Sequence, residues 1–248
     1  MRFVIVGAGA IGSLFGALLS RGGHEVLFLD TNPEVVEAIN QTGVGLMAPG
    51  RQEPTALEFF PAKAVSEAAN IGACGGILLT VKAFDTLTAM RSIAHLVTKD
   101  SPVLSFQTAL GTLELMEKVE RRRNILGGFT FLAAVALGPG RVHWGGQGKT
   151  YIGELDGTIT PRVEKFNRAF NDSHIEAEAV RGIIGRLWSK VIVFSAINPV
   201  SAILRVKNGR LLEKMESISL MKRLIDEGRR VAEACEIELT QDDLYELL

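Results

Sequence analysis

Near the N-terminus, Gly7-Ala8-Gly9-Ala10-Ile11-Gly12 follows an apolar, β-branched run from Phe3 to Val6. A stretch rich in alanine and leucine comes next, then a second apolar run, Val26 to Leu29, which ends on Asp30. Strand, glycine turn, helix, strand and acid, in that order, suit a bound dinucleotide. Gly7 permits a tight turn off the strand, Gly9 lets the backbone approach a pyrophosphate, and Gly12 lets the helix lie close on the strand. The phosphates would meet the free N–H groups of a helix starting near Ala10. Gly7, Ala8, Gly9, Ala10, Ile11 and Gly12 are therefore cofactor-binding candidates. Asp30 can accept both ribose hydroxyls of NAD(H) and would repel the extra phosphate of NADP(H). Thr31 and Asn32 follow, with no cation to receive that phosphate. The alternative for Asp30 is to cap a helix beginning near Pro33.

A second set of candidates lies in Trp188-Ser-Lys190-Val-Ile-Val-Phe194-Ser-Ala-Ile-Asn198-Pro199. A ketone that receives hydride needs a proton donor at its oxygen, and a carboxylate substrate needs cationic or amide donors. Eight residues advance a helix by about 800°, so Lys190 and Asn198 lie within about 80° of one face, with Phe194 between them. Leu187, Trp188, Val191 and Ile192 would desolvate the ammonium and lower its pKa toward useful acid–base values. The alternative is a lysine whose stem covers apolar surface while its head reaches water.

The elements that must position these residues alternate. Helix is expected at Pro33 to Asn40, Asp85 to Leu96, Leu113 to Glu120 and Arg162 to Phe170. Strand is expected at Gly43 to Met47, Thr55 to Phe60, Gly76 to Thr80, Pro102 to Phe106, Asn124 to Gly128 and Ile175 to Ala179. Between Gly128 and Gly153, short runs separated by Gly138-Pro-Gly140 and Gly145-Gly-Gln-Gly148 predict antiparallel strands at a sheet edge or in a hairpin. Beyond Gly182 only helical periodicity remains, in Ile184 to Leu204 and Ile218 to Ala234. The fold class is α/β: an N-terminal Rossmann-like, doubly wound sheet followed by a smaller all-helical domain. The boundary falls near residues 172 to 182, dividing a dinucleotide-binding domain (1–176) from a helical substrate and dimerisation domain (177–248).

The 27 basic and 28 acidic residues among 248 give a net charge of −1. That balance gives no electrostatic case for nucleic acid or an anionic membrane. The cluster Arg121 to Arg123 reads as a solvated helix end. Cys74 and Cys235 are too far apart for a metal spacing and are expected to be reduced and buried. The four histidines are isolated, so no metal is expected. With neither a signal peptide nor an apolar run long enough to span a bilayer, the expected location is cytoplasmic.

The ordered set resembles the ketopantoate reductase (2-dehydropantoate 2-reductase) family. The matching pieces are VGAGAIGS at the N-terminus, LLTVKAFDT at 78–86, GTLE after Gln107, GPGRVHWGGQGKTYIGE at 138–154 and LWSKVIVFSAINPVSAIL at 187–204. The resemblance implies that Lys190 donates or steers the proton to the keto oxygen, that Asn198 and Asn208 bind substrate, and that Lys82 and Ala134 lie at the cofactor. It also implies that NADP(H) can serve. Three positions depart from the family pattern. Thr108 stands where the family has an asparagine at the nicotinamide and substrate. Phe194 replaces a substrate-binding asparagine. Thr31 takes the place of an arginine that many members use to hold NADPH. The family continues past Leu248 with a serine and a glutamate at the substrate, so the helical domain reads as truncated: either the chain is incomplete or part of the site has been lost.

The expected function is an oxidoreductase that moves hydride from a reduced nicotinamide to ketopantoate or a related branched 2-keto acid. With ketopantoate as substrate, the reaction serves pantothenate and coenzyme A biosynthesis. The alternative is a nicotinamide-nucleotide-binding protein with little or no turnover, acting in regulation or interaction. A shortened helical domain should expose the apolar sides of 184–204 and 220–231, which invites self-association. A homodimer is expected on that ground and by analogy with the family.

Overall fold

The computed structural model describes residues 1–51, 56–239 and 244–247. They fall into two compact units: residues 1–107 with 111–181, and residues 108–110 with 182–248. The first unit begins β1 (Arg2–Val6), α1 (Ala10–Arg21), β2 (Glu25–Leu29), α2 (Pro33–Thr42), β3 (Val44–Met47), β4 (Leu57–Phe60) and β5 (Lys63–Val65). It continues with β6 (Gly76–Leu79), α3 (Thr86–Ile93), β7 (Val103–Ser105), α4 (Thr112–Glu117) and β8 (Ile125–Thr130). Last come β9 (Ala133–Gly138), β10 (Arg141–Gly146), β11 (Thr150–Glu154), α5 (Pro161–Asp172) and β12 (Ala177–Ala179).

The main sheet has the order β12-β11-β8-β7-β6-β1-β2-β5. Its pairs are parallel except β8 with β11. The run Phe3 to Val6 is buried because β1 lies in the middle of this sheet, where every position meets a neighbour. A second sheet, β4-β3-β10-β9, packs against α1. With β1 and β2 of the main sheet on one side of it and the small sheet against it as well, α1 is buried without a break from Gly12 to Leu19. That double cover explains why its sequence is apolar nearly all round. Phe15 of α1 meets Phe106 at 4.5 Å and Phe170 of α5 at 5.4 Å between ring centroids, and Phe3 and Phe166 join the same cluster. Each ring contributes roughly 2–3 kcal/mol of burial.

Several elements differ from the sequence expectation. The strand expected from Thr55 starts at Leu57; Thr55 itself lies outside the described residues. The strand near Gly43 is present as β3, but it joins the second sheet, parallel to β10. The short β5, which periodicity does not reveal in three residues, closes the edge of the main sheet beside β2. The expected helix from Asp85 to Leu96 is α only from Thr86 to Ile93, with a 3₁₀ turn at each end. The glycine-rich stretch divides as expected between the β9–β10 hairpin and antiparallel β11. Arg121, Arg122 and Arg123 are exposed at a 3₁₀ turn beyond α4, where Arg122 pairs with Glu117 and donates to Leu155 O at 3.3 Å. Cys74 is half-buried and Cys235 exposed, so neither is the buried apolar side chain expected.

The second unit contains α6 (Ile183–Leu204), a 3₁₀ segment (Asn208–Glu213) and α7 (Met215–Ala234). Ile192, Val193, Ala196 and Val200 of α6 share a core with Met221, Ile225 and Ala232 of α7. The helices approach closely at Gly228, where a Cβ would come within 2.7 Å of the Ile192 side chain. On length and composition α6 could cross a membrane, one such helix among the described residues. The sequence reading expects no apolar run of that length, and α6 departs from it. Ile203, Leu204, Met215, Leu220 and Val231 are exposed.

The most constrained position is Gly12. A Cβ there would lie 2.0 Å from Gly7 O and 2.6 Å from Thr80 Oγ1. Gly12→Ala should therefore cost about 3 kcal/mol and lower the thermal midpoint by about 6 to 10 °C in differential scanning calorimetry.

Candidate functional site

In the first unit, the C-terminal ends of β1, β2, β5 and β6 open on a cleft of about 830 Å³. Gly7 leaves β1 with φ +97°, which an L side chain rarely adopts, and packs on Val81. Thr80 donates its hydroxyl to Gly7 O at 2.7 Å and lies 3.0 Å from Val6 O, pinning the glycine loop to the end of β6. Gly9 precedes α1 and lines the cleft, and a Cβ on it would meet no protein atom within 4 Å. The space beside Gly9 is thus open to a ligand, as a pyrophosphate on a helix N-terminus requires.

Asp30 also lines this cleft, and each of its oxygens already accepts a backbone bond. Ala8 N donates to Oδ2 at 2.7 Å, and Asn32 N donates to Oδ1 at 2.9 Å. The cap of α2 is Asn32, whose Oδ1 accepts from Glu34 N at 3.0 Å. Capping is therefore not the task of Asp30. Its carboxylate is fixed at the cleft with lone pairs left over for hydroxyl donors.

Gln107, buried just past β7, donates to Val81 O at 2.9 Å and to Thr86 Oγ1 at 2.7 Å. These bonds hold the segment that carries Lys82, which lines the cleft with Ala10, Ile11 and Ala134. Ala8 and Gly12 do not line it: Ala8 is buried with its N–H on Asp30, and Gly12 faces Gly7 and Thr80. They shape the loop and leave the lining to their neighbours. Among the described residues, no group of three or more His, Cys, Asp or Glu is placed to hold a metal.

The second unit has its own hollow, about 290 Å³, lined by Thr108, Lys190, Val191, Phe194, Ser195, Asn198 and Pro199. Lys190 is buried, and desolvation lowers its pKa from 10.5 to about 8. Its Nζ lies 5.2 Å from the centroid of the Phe194 ring, one turn along α6. Pro199 has no N–H to return to the Ser195 carbonyl, so the helix ladder is broken beside the hollow. Asn208 begins the 3₁₀ segment, is exposed, and does not line this hollow. The structure thus brings Thr108, Lys190, Phe194 and Asn198 together and leaves Asn208 apart. Thr108, expected at the cofactor, lines this hollow and not the cleft of the first unit.

Residues 3–157 match the ketopantoate reductase PanE/ApbA model, and residues 182–248 match its C-terminal companion. The chain is 35% identical over 230 residues to the 2-dehydropantoate 2-reductase of Archaeoglobus fulgidus, covering 93% of this chain and 73% of that protein. It is 34% identical to the Pyrococcus abyssi enzyme of the same name, covering 99% of this chain and 79% of that one. The chain belongs to the ketopantoate reductase family.

Members of the ketopantoate reductase family are NAD(P)-dependent oxidoreductases. Among solved structures, D-mandelate dehydrogenase with NADH and anilino(oxo)acetate aligns with a TM-score of 0.89 at 26% identity, covering all of this chain and 78% of that one. The 2-dehydropantoate 2-reductase of Geobacter metallireducens aligns with a TM-score of 0.85 at 27% identity, covering all of this chain and 82% of its own.

Sequence reasoning passed over several cleft residues: Ser66, Glu67, Thr88, Ser92 and His95. Reading Lys63 to Val65 as a strand would have found the first two, since strand C-termini in a parallel sheet face the ligand. The differing tasks of Gly9 and Gly12 give a direct test. Gly9→Ala should leave the thermal midpoint within about 2 °C of wild type but weaken dinucleotide binding about tenfold or more by fluorescence titration, because its methyl group points only at the ligand.

Proposed function

We propose that this ketopantoate reductase family member reduces a 2-keto acid to the 2-hydroxy acid, with NAD(H) favoured over NADP(H). The observation that carries the reading is Lys190, buried and shifted to about 8 in a hollow shared with Asn198. The cleft residues Gly7, Gly9, Ala10, Ile11, Asp30, Lys82 and Ala134 would hold the dinucleotide. A reduced nicotinamide held there would supply the hydride that reduction of a keto group requires. Lys190 then gives its proton to the carbonyl oxygen and regains one from solvent. At neutral pH a lysine with a pKa of about 8 is about nine-tenths protonated, so the acid is present and only weakly held back from transfer. Asn198 offers amide donors to the substrate carboxylate.

Phe194 bears on the choice of substrate. It puts a ring where the family pattern has an asparagine, which favours a keto acid with an apolar side chain over one that needs a hydrogen bond there. The ligand named with D-mandelate dehydrogenase, anilino(oxo)acetate, carries an aryl group beside its oxoacetate. Ketopantoate and other branched 2-keto acids remain in the substrate class. The exposed apolar side chains Ile203, Leu204, Met215 and Val231 support association into a homodimer.

The test is oxidation of NADH and NADPH by the purified protein with ketopantoate and a panel of branched and aryl 2-keto acids. Lys190→Ala should lower kcat by about 10² to 10⁴ while the cofactor still binds. The pH profile has a defined sign. The acid must be protonated, so reductive kcat/KM should be level at low pH and fall about tenfold per pH unit above about 8. In the oxidative direction lysine acts as base and the limb reverses. Cofactor binding with no turnover of any keto acid would instead support a nucleotide-binding protein without catalysis.

A further inference from the structure

We propose that Glu67 is a second acid that sets the choice of dinucleotide, bracketing the adenosine ribose together with Asp30. The inference rests on the dinucleotide reading of the first cleft and extends it to a residue outside the glycine motif. Strands β2 and β5 run parallel with Leu29 opposite Val65, and Asp30 N donates to Val65 O at 3.1 Å. The residues that leave these two strands therefore emerge side by side: Asp30 and Thr31 from one, Ser66 and Glu67 from the other. All four line the cleft.

The segment that carries Glu67 is anchored from behind. Ala68 is buried, and its carbonyl lies 3.1 Å from His95 Nε2 just after α3 and accepts from Ile71 N at 3.0 Å. Glu67 itself is exposed and lines the rim of the cleft. Lysine at position 82 is the cation nearest in kind, but it follows β6. Three strand spacings separate β6 from β5, about 14 Å across the sheet, which exceeds the screening length of about 8 Å at physiological salt. Lys82 therefore stands across the cleft from Glu67, on the β6 side, and does not compensate its charge.

A ribose hydroxyl can donate to either acid, whereas a 2′-phosphate meets two negative charges. Asp30 is held by its two backbone donors, whereas Glu67 makes no capping bond to the turn that follows it. Neutralising Asp30 alone should leave the repulsion from Glu67 in place.

Dissociation constants of NADH and NADPH, measured by fluorescence titration for wild type, Asp30→Asn, Glu67→Gln, Glu67→Lys and the Asp30→Asn/Glu67→Gln pair, test this. Glu67→Gln should shift the affinity ratio toward NADPH by roughly three- to tenfold at low salt. Glu67→Lys should shift it further, the double variant should favour NADPH more than either single neutralisation, and about 1 M salt should erase most of the gain. A ratio that Glu67→Gln and Glu67→Lys leave unchanged overturns the proposal even though both nucleotides bind. Failure of wild type to bind either nucleotide overturns the dinucleotide reading itself, and the Glu67 proposal falls with it.

Discussion

The close seating of α1 on the end of β1 is the constraint on which the rest of the first unit depends. Gly12 leaves no room between the helix, the Gly7 carbonyl and the Thr80 hydroxyl, so the helix axis is set by backbone contact and not by adjustable side chains. From that start α1 carries Phe15 into the aromatic cluster and presents its other side to the small sheet. The same seating aims the first N–H groups of α1 at the cleft. A helix moved outward by one methyl group would loosen the core and redirect the anion-binding end together. Stability and ligand geometry are thus coupled at one residue.

Around that seat, the parallel strands divide the work. Four neighbouring strands, β6-β1-β2-β5, end at the cleft, and between them they deliver three chemistries. The glycine loop after β1 offers backbone donors. Asp30 after β2 offers acceptors, and Lys82 after β6 a cation. Buried and half-buried polar groups hold these ends in place: Thr80 bonds to the glycine loop, Gln107 to the Lys82 segment and Ala8 N to Asp30. Far from the cleft, Arg162 makes a two-pronged pair with buried Glu154 at 2.7 and 2.6 Å, and Thr160 donates to the same carboxylate at 2.5 Å. This pair fixes the start of α5 at the end of β11, so a buried charge costs little where it is matched twice over.

The second unit solves a different problem. An ammonium is strongly hydrated, and placing one among apolar residues disfavours its charged form. Lys190 is held in that condition by the apolar length of α6, while the Phe194 ring lies near its head. The lowered pKa follows from burial and needs no neighbouring cation. Asn198 reaches the same hollow because helix periodicity returns it to the same side two turns later.

Much of this was legible in the residues. The order strand, glycine turn, helix, strand and acid marks the cleft because each part is local, and a helix places positions 190, 194 and 198 together whatever surrounds it. Local patterns also separated the alternating half of the chain from the helical half, and the family motifs reached the right relatives. Pairing across the sequence was not legible. Nothing within Val44 to Met47 says that it joins β10 and not the main sheet, and three residues are too few for β5 to show a period. Without β5, Glu67 has no place in the cleft. The exposure of Asn208 and the company of Thr108 with Lys190 also depend on where distant segments come to rest. The sequence by itself determined which side chains carry chemistry and the period on which they recur, because covalent spacing and backbone geometry act over a few residues. Only the tertiary structure decided which of them share a cavity, because strand partners and burial are chosen by contacts between segments far apart in the chain.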